Sequence, residues 1–98
     1  MSRQRKNQAP LFPLGQVVAT PGALAALAEA ERTPQEFLER HAHGDWGELC
    51  AEDKRANDLA LRFGHRLFSA YPLKEDLRLW LLTEWDRAVT TLLLPSES

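Results

Sequence analysis

The stretch Leu77-Arg78-Leu79-Trp80-Leu81-Leu82-Thr83-Glu84-Trp85-Asp86-Arg87-Ala88-Val89-Thr90-Thr91-Leu92-Leu93-Leu94-Pro95 decides the fold. It reads as two apolar strands folded back on each other around a short charged turn. Strands favour bulky and β-branched residues, and aspartate serves turns. Successive side chains alternate, so Leu77, Leu79, Leu81 and Thr83 share one face of the first strand, and Arg78, Trp80, Leu82 and Glu84 share the other. Both faces carry apolar bulk, which predicts a central strand with helices over one face. The second face, with Trp80, Leu82 and Phe68, is expected to stay partly open as a contact patch.

Working back from this hairpin, His65 to Tyr71 predicts a further strand, and Pro72 to Asp76 a turn. Asp53 to Phe63 has helical spacing, with Ala56, Leu59, Ala60 and Phe63 on one face and Gly64 as the stop. Thr33-Pro34-Gln35-Glu36 has the form of a capping box. It opens a helix that carries Phe37, Leu38 and His41 on one side and ends at Gly44. Thr20-Pro21 is another helix start, with threonine as cap and proline in the first turn. Leu14 to Ala19 before it reads as a short strand. The expected order is β-α-α-α-β-β-β: an α+β fold with a short N-terminal strand, two to three helices and a C-terminal three-stranded antiparallel meander. Residues 1–10 are expected to be a flexible tail and residues 11–98 one domain.

Composition narrows the class without naming a chemistry. The chain has 98 residues, 44% of them apolar, and a formal charge of −2. That balance gives no global attraction to nucleic acid. No apolar run approaches the roughly 20 residues that span a bilayer. Arg3, Arg5 and Lys6 precede no apolar stretch, so the start does not read as a signal peptide. The single cysteine, Cys50, excludes an internal disulfide and suits a reducing compartment. The expectation is a cytoplasmic protein without a cofactor.

Three segments in order carry a resemblance. They are Leu14-Gly15-Gln16-Val17-Val18-Ala19-Thr20-Pro21-Gly22-Ala23-Leu24, then Gly44-Asp45-Trp46-Gly47-Glu48-Leu49, then Thr83-Glu84-Trp85-Asp86-Arg87 with Thr90-Thr91 and Leu93-Leu94-Pro95. Together they resemble a small, uncharacterised bacterial family found on plasmids and integrative elements. Its members are labelled "plasmid-related protein" or "type I restriction endonuclease subunit M". The resemblance runs from Leu11 to Glu97. It implies a fold and a genomic setting in a mobile element, with no established activity. The methylase label does not suit this chain, which is short and lacks a glycine-rich loop after a strand. Trp85 stands where the family pattern has a small residue, and Cys50 where an acidic one is usual.

Each polar constellation has a competing structural reading. His41, His43, Asp45, Glu48 and Cys50 are zinc-type ligands, but residues two apart do not share a helix face. Histidines in a last helical turn also suit the negative end of the helix dipole. No metal is expected. Trp46 is a candidate binding residue, and a tryptophan between two turn glycines is also a natural loop anchor. Glu84, Asp86 and Arg87, joined by His65 from the neighbouring strand, form the best catalytic candidate: two carboxylates for acid–base work and an arginine for an anion. The alternative for them is an ordinary hairpin turn. Thr90 and Thr91 read as strand formers.

Two functions compete. The first is a small non-enzymatic interaction module. It binds a protein partner or itself through the sheet face or edge, with Trp46, Trp80, Trp85 and Arg87 as binding residues. Its partners include neither membrane nor, as the preferred reading, nucleic acid. The second is an RNA-cleaving toxin similar in outline to the RelE-like toxins, with His65, Arg66, Tyr71, Arg78 and Arg87 along the meander. The acidic balance favours the first.

Overall fold

The computed structural model describes Ala9–Ser98. The tail expected over residues 1–10 falls, through Gln8, outside the described residues. The chain runs β1 (Gln16–Ala19), α1 (Pro21–Glu29), α2 (Pro34–Ala42), α3 (Ala51–Phe63), β2 (Leu67–Lys74), β3 (Leu77–Thr83), β4 (Val89–Leu93) and a closing 3-10 turn, Pro95–Glu97. This is the expected α+β order. The meander pairs antiparallel, and β1 joins it in parallel beside β4, giving the sheet order β1-β4-β3-β2.

Local chemistry sets the helix ends. The Thr20 hydroxyl accepts from the Ala23 amide at 3.1 Å, and Pro21 follows in the first turn. The Thr33 amide donates to Glu36 Oε1, and Arg32 pairs with the same carboxylate one helical turn away. The C-terminus adds a cap that the sequence does not announce. Glu97 accepts from the Thr20 hydroxyl and the Gly22 amide, so the 3-10 turn is tied to the start of α1.

Strand β2 differs from expectation at both ends, beginning at Leu67 rather than His65 and running on past Tyr71. The strand that follows α3 continues through Pro72 to Lys74, with a register irregularity between Pro72 and Lys74. Proline is tolerated there because β2 is an edge strand with a bulge. The turn therefore shrinks to Glu75 and Asp76.

The helices lie over one face of the sheet. Ala23, Ala26 and Leu27 of α1 and Phe37 and Leu38 of α2 pack on Tyr71, Leu79, Leu81 and Leu92. A second cluster joins Phe12, Trp46, Ala60 and Leu67. Of the face expected to be buried on α3, only Ala60 is. Leu59 and Phe63 are 52% and 64% exposed, and the buried positions are Asn57 and Ala60. The reason is that α3 sits at the sheet edge and grips it by polar bonds. The Asn57 side chain donates to the Phe68 carbonyl and accepts from the Phe68 amide, closing the free side of β2.

The Gly44-Asp45-Trp46-Gly47 loop is fastened by its own chemistry. Arg40 pairs with Asp45 at 2.7 Å and lies over the Tyr71 ring, whose hydroxyl donates to the Asp45 carbonyl. Gly47 has φ of 78° and bridges to Ala70 so closely that a Cβ there would stand 2.0 Å from the Ala70 carbonyl oxygen. Strain from the left-handed backbone and the clash act together, at about 1–3 kcal/mol for the first alone. Gly47→Ala is therefore expected to lower the urea-unfolding free energy by more than about 2 kcal/mol, or to prevent folding. Equal midpoints for variant and parent would contradict this close approach.

Candidate functional site

The hairpin cluster is the leading catalytic candidate of the sequence, and the structure gives each member a bonded position. Thr83 and Val89 end and begin their strands, and Arg87 sits between them at φ 60°. A left-handed backbone is uncommon for arginine. Its side chain explains the choice. One terminal nitrogen donates to the carbonyls of His65, Glu84 and Trp85, and the other donates to the Ala60 carbonyl at 2.9 Å. Ala60 also accepts from Gly64 and His65, so Arg87 ties the end of α3 to the hairpin. The guanidinium lies 5.8 Å from the Phe12 ring centroid.

Asp86 accepts from the Ala88 amide in a local turn, and Glu84 stands 3.5 Å from Arg66. His65 is brought to the hairpin, as the antiparallel register implies, since Leu67 faces Thr83. Its carbonyl holds Arg87, and its ring is exposed. Trp85 is 66% exposed at the turn. The four candidates thus share one corner, but the arginine's donors point at backbone oxygens.

The second constellation sorts differently. Trp46 is 4% exposed, its indole nitrogen 3.4 Å from Asp58. It anchors the loop to the core beside Phe12 and His41. His43 bonds the Glu39 carbonyl, Asp45 is held by Arg40, and Cys50 is exposed at the start of α3. Glu48 pairs with Arg78 at 2.7 Å. Among the described residues no three His, Cys, Asp or Glu side chains gather as a metal site.

His41 is the residue whose role the spacing alone could not supply. Its ring is fully buried and bonded at both nitrogens, Nδ1 to Ser69 Oγ at 2.6 Å and Nε2 to Thr83 Oγ1 at 2.9 Å. Thr83 bonds Thr90 at 2.8 Å, and Thr90 bonds the Leu14 carbonyl at 2.7 Å. The proton positions follow from one fixed end. A carbonyl only accepts, so Thr90 donates to Leu14. Thr90 must then accept from Thr83, and Thr83 from His41 Nε2–H. That leaves Nδ1 of the neutral ring bare, accepting from the Ser69 hydroxyl.

Burial pushes the His41 pKa down from 6.5 to about 4, because no carboxylate faces the ring to favour its charged form. Ser69, Thr83 and Thr90 are themselves fully buried. The available signal was polarity at inward positions: a histidine beside Phe37 and Leu38, and threonine on the Leu79–Leu81 face. The Arg40 guanidinium and the Gly47 amide hold the Asp45 carboxyl below its usual range.

The remaining feature is the bare face of the sheet. Phe68 and Ala70 of β2, Trp80 and Leu82 of β3, Val89, Thr91 and Leu93 of β4, and Val18 of β1 share it by register. Phe68 and Trp80 meet edge to face, 5.1 Å between centroids. The larger residues are only partly buried, whereas the helix-covered face includes Leu79, Leu81 and Leu92 at 0% exposure. The Arg66–Glu84 and Arg78–Glu48 pairs stand at its margins. Such an arrangement offers shape and apolar contact. Among the described residues no helix is long and apolar enough to cross a membrane.

No family model matches this chain, and neither a curated protein nor a solved structure matches it.

The buried ring makes stability depend on pH with a definite sign. Between pH 6.5 and about 4 the unfolded chain binds a proton at position 41 and the folded chain does not. The His41 contribution to stability is therefore complete only well above pH 6.5 and falls as pH drops through this window, by on the order of 3 kcal/mol in the limit. Urea midpoints at pH 7 and pH 4.5 should show the loss in the parent and little of it in a folded His41→Gln variant. Equal losses in both proteins would assign the effect to other groups.

Proposed function

We propose that this protein is a small, non-enzymatic interaction module that binds another protein through the open face of its sheet, in the biology of a mobile genetic element. The genomic setting rests on the family resemblance of the three motifs. The observation that carries the binding role is the asymmetry of the sheet: one face is sealed by helices, and the other displays Phe68, Trp80, Leu82 and Leu93 with no covering layer among the described residues. Aromatic residues at the centre of a patch with charged margins suit protein recognition. Trp80 belongs to this surface, Trp85 projects beside it at the hairpin, and Trp46 supports the fold beneath.

The RNA-cleaving alternative needs basic side chains available to phosphates. Arg66 and Arg78 are each paired with a glutamate, and Arg87 is committed to backbone carbonyls. These pairings favour the interaction reading.

The test is a tagged capture from bacterial cells, with and without nuclease, comparing the parent with Leu82→Lys. Leu82 lies on the open face, so the charge enters the surface without entering the helix-covered core. The expected result is a stoichiometric, nuclease-resistant partner retained by the parent and reduced at least tenfold by the variant. Undiminished capture by a folded Leu82→Lys protein, or capture of ribosomal proteins alone that disappears with nuclease, would overturn the proposal.

A further inference from the structure

The two edges of the sheet are treated very differently. The β2 edge is closed by three devices: the Asn57 side chain on both backbone groups of Phe68, the bridge of residues 46–48 to Ala70, and the irregularity at Pro72. These are the means by which sheets avoid pairing with other chains. Among the described residues the β1 edge has none of them. Gln16-Val17-Val18-Ala19 contains no charge, proline or bulge, and Val17 and Val18 are 43% and 39% exposed. On its helix side it borders an open cleft of about 520 Å³ lined by Phe12, Leu14, Val17 and Leu38.

The ladder shows which backbone groups are free. The amides of Gln16 and Thr20 donate to the carbonyls of Ala88 and Leu92 on β4. In a parallel pair alternate residues face the partner strand, so Val18 shares that side, and Val17 and Ala19 turn their N–H and C=O groups outward. Two outward residues flank one inward residue. That pattern is its own complement in antiparallel pairing: Val17 of one copy opposite Ala19 of the other, and Val18 opposite Val18 at the two-fold axis. Four backbone hydrogen bonds result. No like charges meet across the axis, because the strand has none.

From this geometry we infer that the protein forms a two-fold symmetric dimer by antiparallel pairing of β1 with β1 of a second copy, joining two four-stranded sheets into one of eight strands. This deepens the interaction role and rests on that reading of the sheet. It identifies one partner as the chain itself and places the contact at the edge. The assembly stops at two copies because β2, the other edge of the sheet among the described residues, is closed, so a filament cannot propagate. The two open faces become continuous, with Val18 of each copy at the centre of the enlarged surface.

The test uses the full chain and two single variants, Val18→Lys and Val18→Glu. Light scattering after size exclusion should give twice the 11.1 kDa chain mass for the parent and the single-chain mass for each variant alone. An equimolar mixture of the two variants should recover the doubled mass, since opposite charges then meet at the axis. Amide exchange of the parent provides a readout without substitution. The Val17 and Ala19 amides should be protected at high concentration and lose at least tenfold of that protection on dilution to monomer. A single-chain mass for the parent, a dimer unmoved by both variants, or unprotected Val17 and Ala19 amides at high concentration would each overturn the inference. Should the parent prove monomeric while its Leu82-dependent capture persists, the edge dimer fails and the interaction role of the face stands.

Discussion

The buried chain of hydrogen bonds through His41 is the constraint from which the rest of the structure takes its alignment. An unbonded polar group in a dry interior costs free energy, so each member needs its neighbour in place. His41 comes from α2, Ser69 from β2, Thr83 from β3, Thr90 from β4, and Leu14 from the segment entering β1. One line of contacts therefore fixes a helix, three strands and the segment entering β1 relative to one another. The apolar core could tolerate a shifted helix more easily than this chain could, because hydrophobic contact has no preferred direction. Among the described residues, no buried side-chain nitrogen or oxygen lacks a partner.

The three motif segments meet around this chain. Gly15 approaches the hairpin so closely that a Cβ would stand 2.4 Å from the Arg87 and Ala88 carbonyl oxygens. Trp46 and Phe12 close over the His41 ring, and Arg87 lies by Phe12. Thr90 ends the chain at Leu14. The polar residues that draw the eye in the sequence thus build an internal frame. What the frame leaves to the outside is one sheet face and one strand edge, and the functional reading follows from that division.

Much of the architecture is legible from local signals. Thr20-Pro21 and Thr33-Pro34 place two helix starts, the alternation in Leu77 to Thr83 gives both faces of β3, and Phe68, Trp80 and Leu82 fall on the open one. The parts that were not legible depend on distant partners. Nothing local tells that β1 lies parallel to β4, because that pairing joins residues more than seventy positions apart. Helix α3 misleads for a related reason: its apolar spacing favours Leu59 and Phe63, but Asn57's bond to the β2 backbone decides which side turns inward. Arg87 has the composition of a catalytic residue, and only the folded corner reveals the carbonyls gathered around it.

The direction of the His41 chain is open to a single spectroscopic test. Nitrogen-15 NMR of the ring in the intact protein at pH 7 distinguishes a protonated from a bare imidazole nitrogen. The expected result is a neutral ring with its proton on Nε2 and a bare Nδ1, unaveraged between the two forms. A proton on Nδ1, or a ring exchanging freely between tautomers, would contradict the donor order that runs from Ser69 to Leu14. It would also remove the frame on which the division between scaffold and binding surface rests.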